Sequence, residues 1–74
     1  MKIRVSVYND LWATYGDVGY FVGFEDDSAG QTIMKVGKFD DGKSFKQLSG
    51  ARRAVNRLKA TFLNQGYRFQ IVEE

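Results

Sequence analysis

Only one stretch of this chain reads as helix, Ser49–Gly66 (SGARRAVNRLKATFLNQG), and everything else must build a surface for its single apolar stripe. Ala51, Val55, Leu58 and Phe62 recur with the period of one helix face, while Arg52, Arg53, Asn56, Arg57 and Lys59 fall off that line. Ser49 is the expected N-cap, its hydroxyl able to accept a bond from an orphan first-turn amide. Gly66 suits the left-handed position that closes a helix. One helix face is therefore core and the rest is cationic.

The surface for that stripe comes from strands. In Lys2–Tyr8, Ile3, Val5 and Val7 alternate with Lys2, Arg4, Ser6 and Tyr8, the pattern of a half-buried strand. Asp17–Glu25 (DVGYFVGFE) is dominated by β-branched and aromatic residues. Strict alternation there puts Val18, Tyr20, Val22 and Phe24 on one face and Phe21 on the other. Gln31–Phe39 resumes the pattern after a hairpin turn at Asp26–Gly30, and Tyr67–Val72 closes the chain after the helix. The expected fold is a small single-domain α+β structure: an antiparallel sheet of four strands in the order β-β-β-α-β, with one helix packed on one face. Phe45 and Leu48 are expected to cap the core where the helix starts.

With 74 residues and neither cysteine nor histidine, the chain has no disulfide, thiolate or imidazole chemistry. No nucleophile–base constellation, glycine-rich phosphate cradle or metal-ligand spacing stands out, so the expectation is a non-enzyme without cofactor. Paired Asp26 and Asp27 lack the further oxygens of a calcium loop and read as a solvated turn. The N-terminal segment alternates instead of running apolar, and the chain reads as cytoplasmic. Charge is unevenly placed. Asn9–Asp27 holds five acids and no base, whereas Lys43–Arg68 holds seven bases and no acid.

If the helix covers the sheet face bearing Ile3, Val5 and Val7, the opposite face displays Lys2, Arg4, Tyr8, Phe21, Ile33, Lys35, Phe39, Arg68 and Gln70. An apolar patch there, rimmed with cations, suits two kinds of partner. A protein, including a second copy of the chain, would use Tyr8, Trp12, Phe21, Ile33 and Phe39. A nucleic acid would use Lys2, Arg4, Lys35 and Arg68 on the sheet and Arg52, Arg53, Arg57 and Lys59 on the helix. Trp12, in the connection Asn9–Gly16, reads first as a lid folded over one end of the core; the functional alternative is an exposed contact loop.

Two stretches resemble known families. Val36-Gly37-Lys38-Phe39-Asp40, then Ala51, Ala54 and Leu58, then Gly66-Tyr67 through Ile71-Val72, resembles the second half of a SPOR domain, the peptidoglycan-binding module of bacterial division proteins; Asn9–Asp27 departs from that pattern by offering no first helix. A three-stranded meander with Asp41-Gly42-Lys43 at a turn and an alanine-bearing helix after it is similar to the arm-type DNA-binding domains of phage integrases. As a short chain without a catalytic set, it also resembles accessory proteins of phages and mobile elements, including inhibitors of host defence such as anti-CRISPR proteins. The leading expectation is a protein-binding regulator or inhibitor of that kind, and direct nucleic-acid binding is the alternative.

Overall fold

The computed structural model describes residues 1–74 and runs β1 (Lys2–Asn9), β2 (Thr14–Asp26), β3 (Thr32–Gly37), a single 3-10 turn (Phe39–Asp41), α1 (Leu48–Thr61) and β4 (Tyr67–Val72). The strands form one antiparallel sheet in the spatial order β3-β2-β1-β4. Short connections make β1, β2 and β3 a meander, and α1 carries the chain across one face to set β4 on the far edge, beside β1. The α+β architecture expected from the sequence is the one observed.

The core lies between α1 and the sheet. Ala51, Val55 and Leu58 of the helix are buried, and Val55 and Leu58 cluster with Ile3, Val5, Phe21 and Phe69. Phe24, Met34, Val36, Phe45, Phe62 and Ile71 pack around them. Phe21 is a correction to the face assignment: only 2% exposed, it belongs to the core and not to the open face. The cause is a pair of bulges in β2. Ser6 pairs with Asp17 but Val5 with Gly19, leaving Val18 over; Phe21 pairs with Val36 but Gly23 with Lys35, leaving Val22 over. Each extra residue reverses the in-out parity of the rest of the strand. After the first, Tyr20 faces outward opposite Arg4 and Phe21 turns inward. After the second, Phe24 turns inward again, its ring edge-on to Phe21 at 5.1 Å.

Gly19 makes the first bulge possible. Its φ of +149° is a conformation that side chains resist, and a Cβ there would stand 2.8 Å from the carbonyl oxygen of Gly37. Gly19→Ala is therefore expected to lower the unfolding free energy by about 1–3 kcal/mol, read as a drop in the urea midpoint. An unchanged midpoint would show that the bulge relaxes without cost.

The helix begins earlier than expected. Gln47, not Ser49, occupies the N-cap position, without a side-chain cap, and Ser49 lies within the first turn. The helix ends at Thr61, so Gly66 does not close it. Asn64 and Gly66 take positive φ in the connection to β4, where the Gly66 carbonyl accepts from the Tyr8 amide at 2.9 Å. Beyond the Arg4–Tyr20 pair the partnership of β1 with β2 ends. Lys43–Phe45 takes over there, the Lys43 amide donating to the Phe21 carbonyl (2.9 Å) and the Phe45 amide to the Met1 carbonyl (2.7 Å). Phe45 packs against the core as expected, whereas Leu48 remains exposed.

Glu74 clasps this region, accepting from the Met1 amine at 2.8 Å and from the Ser44 hydroxyl at 2.7 Å. The hydrogen bond from the amine, then that from Ser44, holds its carboxyl below the usual glutamate range. A depressed folded-state pKa contributes stability that is present above the unfolded value and lost as pH falls through the folded one. Acidification below the ordinary glutamate range should thus erode wild-type stability more than that of Glu74→Gln; parallel pH profiles for the two proteins would show that the clasp contributes nothing.

Candidate contact surface on the hairpin and open sheet face

The face opposite α1 is built from the outward residues of all four strands. Across it Arg4 lies beside Tyr20 and Gln70, Ser6 beside Asp17 and Arg68, and Tyr8 beside Tyr15. Ile33 and Lys35 extend it onto β3, and Phe39 reaches it from the 3-10 turn, edge-on to Tyr20 at 5.1 Å. Tyr8, Tyr15, Ile33 and Phe39 are all exposed. Tyr15 and Tyr20 were not among the expected contacts. Their signal was present in the sequence, but it could be placed only once the bulges and the length of β2 were known.

Beyond this face the β1–β2 hairpin continues as a ladder through Val7–Gly16, Tyr8–Tyr15 and Asn9–Thr14. Half of Asn9–Gly16 is therefore strand, and Asp10–Ala13 makes the turn. The Asn9 side chain accepts from the Leu11 amide at 3.0 Å, and Ala13 takes φ +52°. Four residues between paired strands cannot fold back over the core, so the lid reading of Trp12 is overturned. Leu11 is 82% and Trp12 72% exposed at the tip. Behind them Tyr8 and Tyr15 meet edge-on at 5.3 Å, and the Arg68 guanidinium lies 4.3 Å above the Tyr15 ring.

The cations on the sheet are mostly occupied. Arg4 donates to the Asp17 carboxylate through Nη2 (2.6 Å) and Nε (3.1 Å), and this hydrogen bond raises its pKa further above the ordinary arginine value. Lys35 pairs with Glu25 at 3.6 Å. Lys2 is corrected from surface contact to buried residue: 5% exposed, it donates to the Phe39 carbonyl and lies 4.0 Å from the centre of that ring, with Glu74 at 3.8 Å. Among the four sheet cations only Arg68 lacks an acidic partner. Arg52, Arg53, Arg57 and Lys59 are exposed on α1 and form no ion pair, and Arg57 covers the Phe24 ring at 4.0 Å. The free cations and the exposed rings thus lie mainly on opposite sides of the molecule.

Two open grooves flank the helix. One, of about 260 Å³, has Phe21, Phe24 and Phe45 beneath Lys43, Arg53 and Arg57. The other, of about 290 Å³, lies between the C-terminal end of α1 and β4. No group of three or more acidic, His or Cys side chains is disposed to hold a metal ion, and Asp27 instead ties the β2–β3 turn by accepting from the amides of Ala29 and Gln31, each at 2.9 Å. No helix is long and apolar enough to cross a membrane. No family model matches the chain, so the partial likenesses to the SPOR domain and the arm-type integrase domains carry no assignment, and no curated protein or solved structure matches it either.

Proposed function

We propose that this chain is a non-catalytic protein-binding module that acts on its partner by occupying a surface of it. The observation that carries the reading is the hairpin tip, where Leu11 and Trp12 stand largely exposed on a tight turn at the end of a two-stranded projection. Folding gains nothing from leaving two such side chains in water, whereas an interface gains most from a tryptophan anchor seated in a pocket. Tyr8 and Tyr15 continue that contact onto the open face, with Phe39 and Ile33 further along it. Binding of single-stranded nucleic acid is less well supported, because stacking rings and phosphate-neutralising cations must alternate along one track, and here the cations beside the rings are largely paired or buried.

The test sets the two ligands against each other. Random single-stranded DNA, RNA and duplex DNA are titrated at low and near-physiological salt, followed by anisotropy of the labelled nucleic acid. Expected is weak binding that vanishes with salt, while a protein partner captured by the wild-type chain is lost by Leu11→Ala and Trp12→Ala. Nucleic-acid binding that survives near-physiological salt and is abolished by Arg52→Ala with Arg53→Ala would replace this reading with the other. Self-association through the hairpin would appear as a concentration-dependent mass in light scattering, removed by Trp12→Ala.

A further inference from the structure

The groove between α1 and β2 brings together free cations and aromatic rings that the rest of the surface keeps apart. Phe24 and Phe45, both half-buried, floor it together with the core ring of Phe21, and Lys43, Arg53 and Arg57 stand around it. None of these cations has a carboxylate partner, and no acidic residue lines the groove. Glu74, which reaches Ser44 beside Lys43, is already engaged by the Met1 amine and Lys2. Arg57 lies 4.0 Å from the Phe24 ring centre and Lys43 5.4 Å from that of Phe45, so rings rather than counter-ions hold both cations in place. Two features of the helical wall also cost the free protein stability. Arg53 and Arg57 are one turn apart, where like charges repel. Gly50, in the first turn of α1, weakens the helix relative to alanine. Its φ is not positive, and a Cβ there would meet only the Phe45 ring at an ordinary 3.7 Å, so folding does not require glycine at that position. What the glycine does is leave the Phe45 side of the groove open.

We infer that this groove binds a small aromatic phosphate monoester, its ring set against Phe45 over Gly50 and Ala54 and its phosphate held by Lys43, Arg53 and Arg57. The apolar floor calls for a ring, and the charge calls for the phosphate. Three free cations around one opening match a dianion better than a carboxylate, and the arginine fork pairs with phosphate oxygens two at a time. A volume of about 260 Å³ holds one ring and a head group, just under the roughly 300–1,000 Å³ of drug-sized sites. No uncharged polar side chain lines the groove to read the edge of a nucleobase. None of the large exposed apolar side chains borders it either, so a polypeptide would find no further apolar contact there. The ligand is therefore a compact molecule and not a segment of a partner protein. The site is separate from the hairpin and does not depend on it.

The probe is phenyl phosphate, titrated into the intact protein and followed by backbone amide and arginine side-chain spectra. Expected is saturable binding by millimolar concentration, with shifts concentrated at Lys43–Phe45 and Gly50–Arg57. Benzoate lacks the second charge, inorganic phosphate the ring and phenol any charge, so each should bind at least about tenfold more weakly. Affinity for phenyl phosphate should fall as pH drops below about 6, where the phosphate takes up a proton. Arg53→Gln and Lys43→Gln, at exposed positions without an ion pair where the amide spectrum reports an intact fold, should each weaken binding about tenfold. Gly50→Leu, whose side chain extends over the Phe45 ring, should abolish binding without lowering the urea midpoint. Trp12→Ala should leave it unchanged. The inference is overturned if benzoate, inorganic phosphate or phenol binds as tightly as phenyl phosphate, or if Arg53→Gln and Lys43→Gln bind like wild type. It is equally overturned if the shifts fall elsewhere or if nothing binds at millimolar phenyl phosphate.

Discussion

Phe21→Ala is expected to destabilise the fold by about 3–5 kcal/mol, the usual cost of deleting a buried phenylalanine and leaving a cavity. A chain of 74 residues has a total stability on the order of 4–11 kcal/mol, so this one substitution removes a large part of it and leaves a partly unfolded population at body temperature. The expectation rests on position. Phe21 is 2% exposed, packs with Ile3, Val55 and Leu58, and meets Phe24 edge-on. Urea melts followed by circular dichroism would show the midpoint falling steeply with little change in slope. If Phe21→Ala instead melted like wild type and lost only partner binding, the ring would be a surface contact and the bulged register of β2 would be wrong.

Trp12→Ala should do the reverse. The ring touches nothing that holds the fold together, so urea midpoints should match wild type to within about 0.5 kcal/mol. Partner affinity should fall by about 30-fold or more, equivalent to about 2 kcal/mol, as expected when an anchor residue at the centre of an interface is truncated. Leu11→Ala should act in the same direction and less strongly, because it removes a smaller buried area. A Trp12→Ala chain that keeps full affinity would place the contact elsewhere. A Trp12→Ala chain that unfolds would mean the hairpin tip is not free. Together with Phe21→Ala, the pair separates core from contact among aromatic residues that the sequence alone grouped together.

Much of the architecture was legible in the residues because it depends on local period. The three-four spacing of Ala51, Val55, Leu58 and Phe62 can bury only one helix face. The alternation in β1 assigns Ile3 and Val5 to one side and Arg4 and Ser6 to the other. The turn at Asp26–Gly30 arises from side chains that bond their own backbone, as Asp27 does. From such signals come four strands, one helix, their order and an open face bearing Tyr8, Ile33, Phe39 and Arg68.

What only the tertiary structure decided depends on relations between distant segments. Bulges at Val18 and Val22 exist because β2 must match β1 and β3 at once, and one inserted residue is enough to exchange Phe21 with Tyr20. Helix onset at Leu48 depends on where Lys43–Phe45 docks against Met1 and Phe21, not on which nearby side chain makes the better cap. The burial of Lys2 beneath Phe39, and the neutralising of Arg4 by Asp17, arise from partners 37 and 13 residues away. Composition supplied the rings and the charges of the candidate site. Only the pairing of strands determined which rings reach water and which cations remain free, because in-out parity and ion pairing are properties of register, and register is a contact between segments rather than a property of either one.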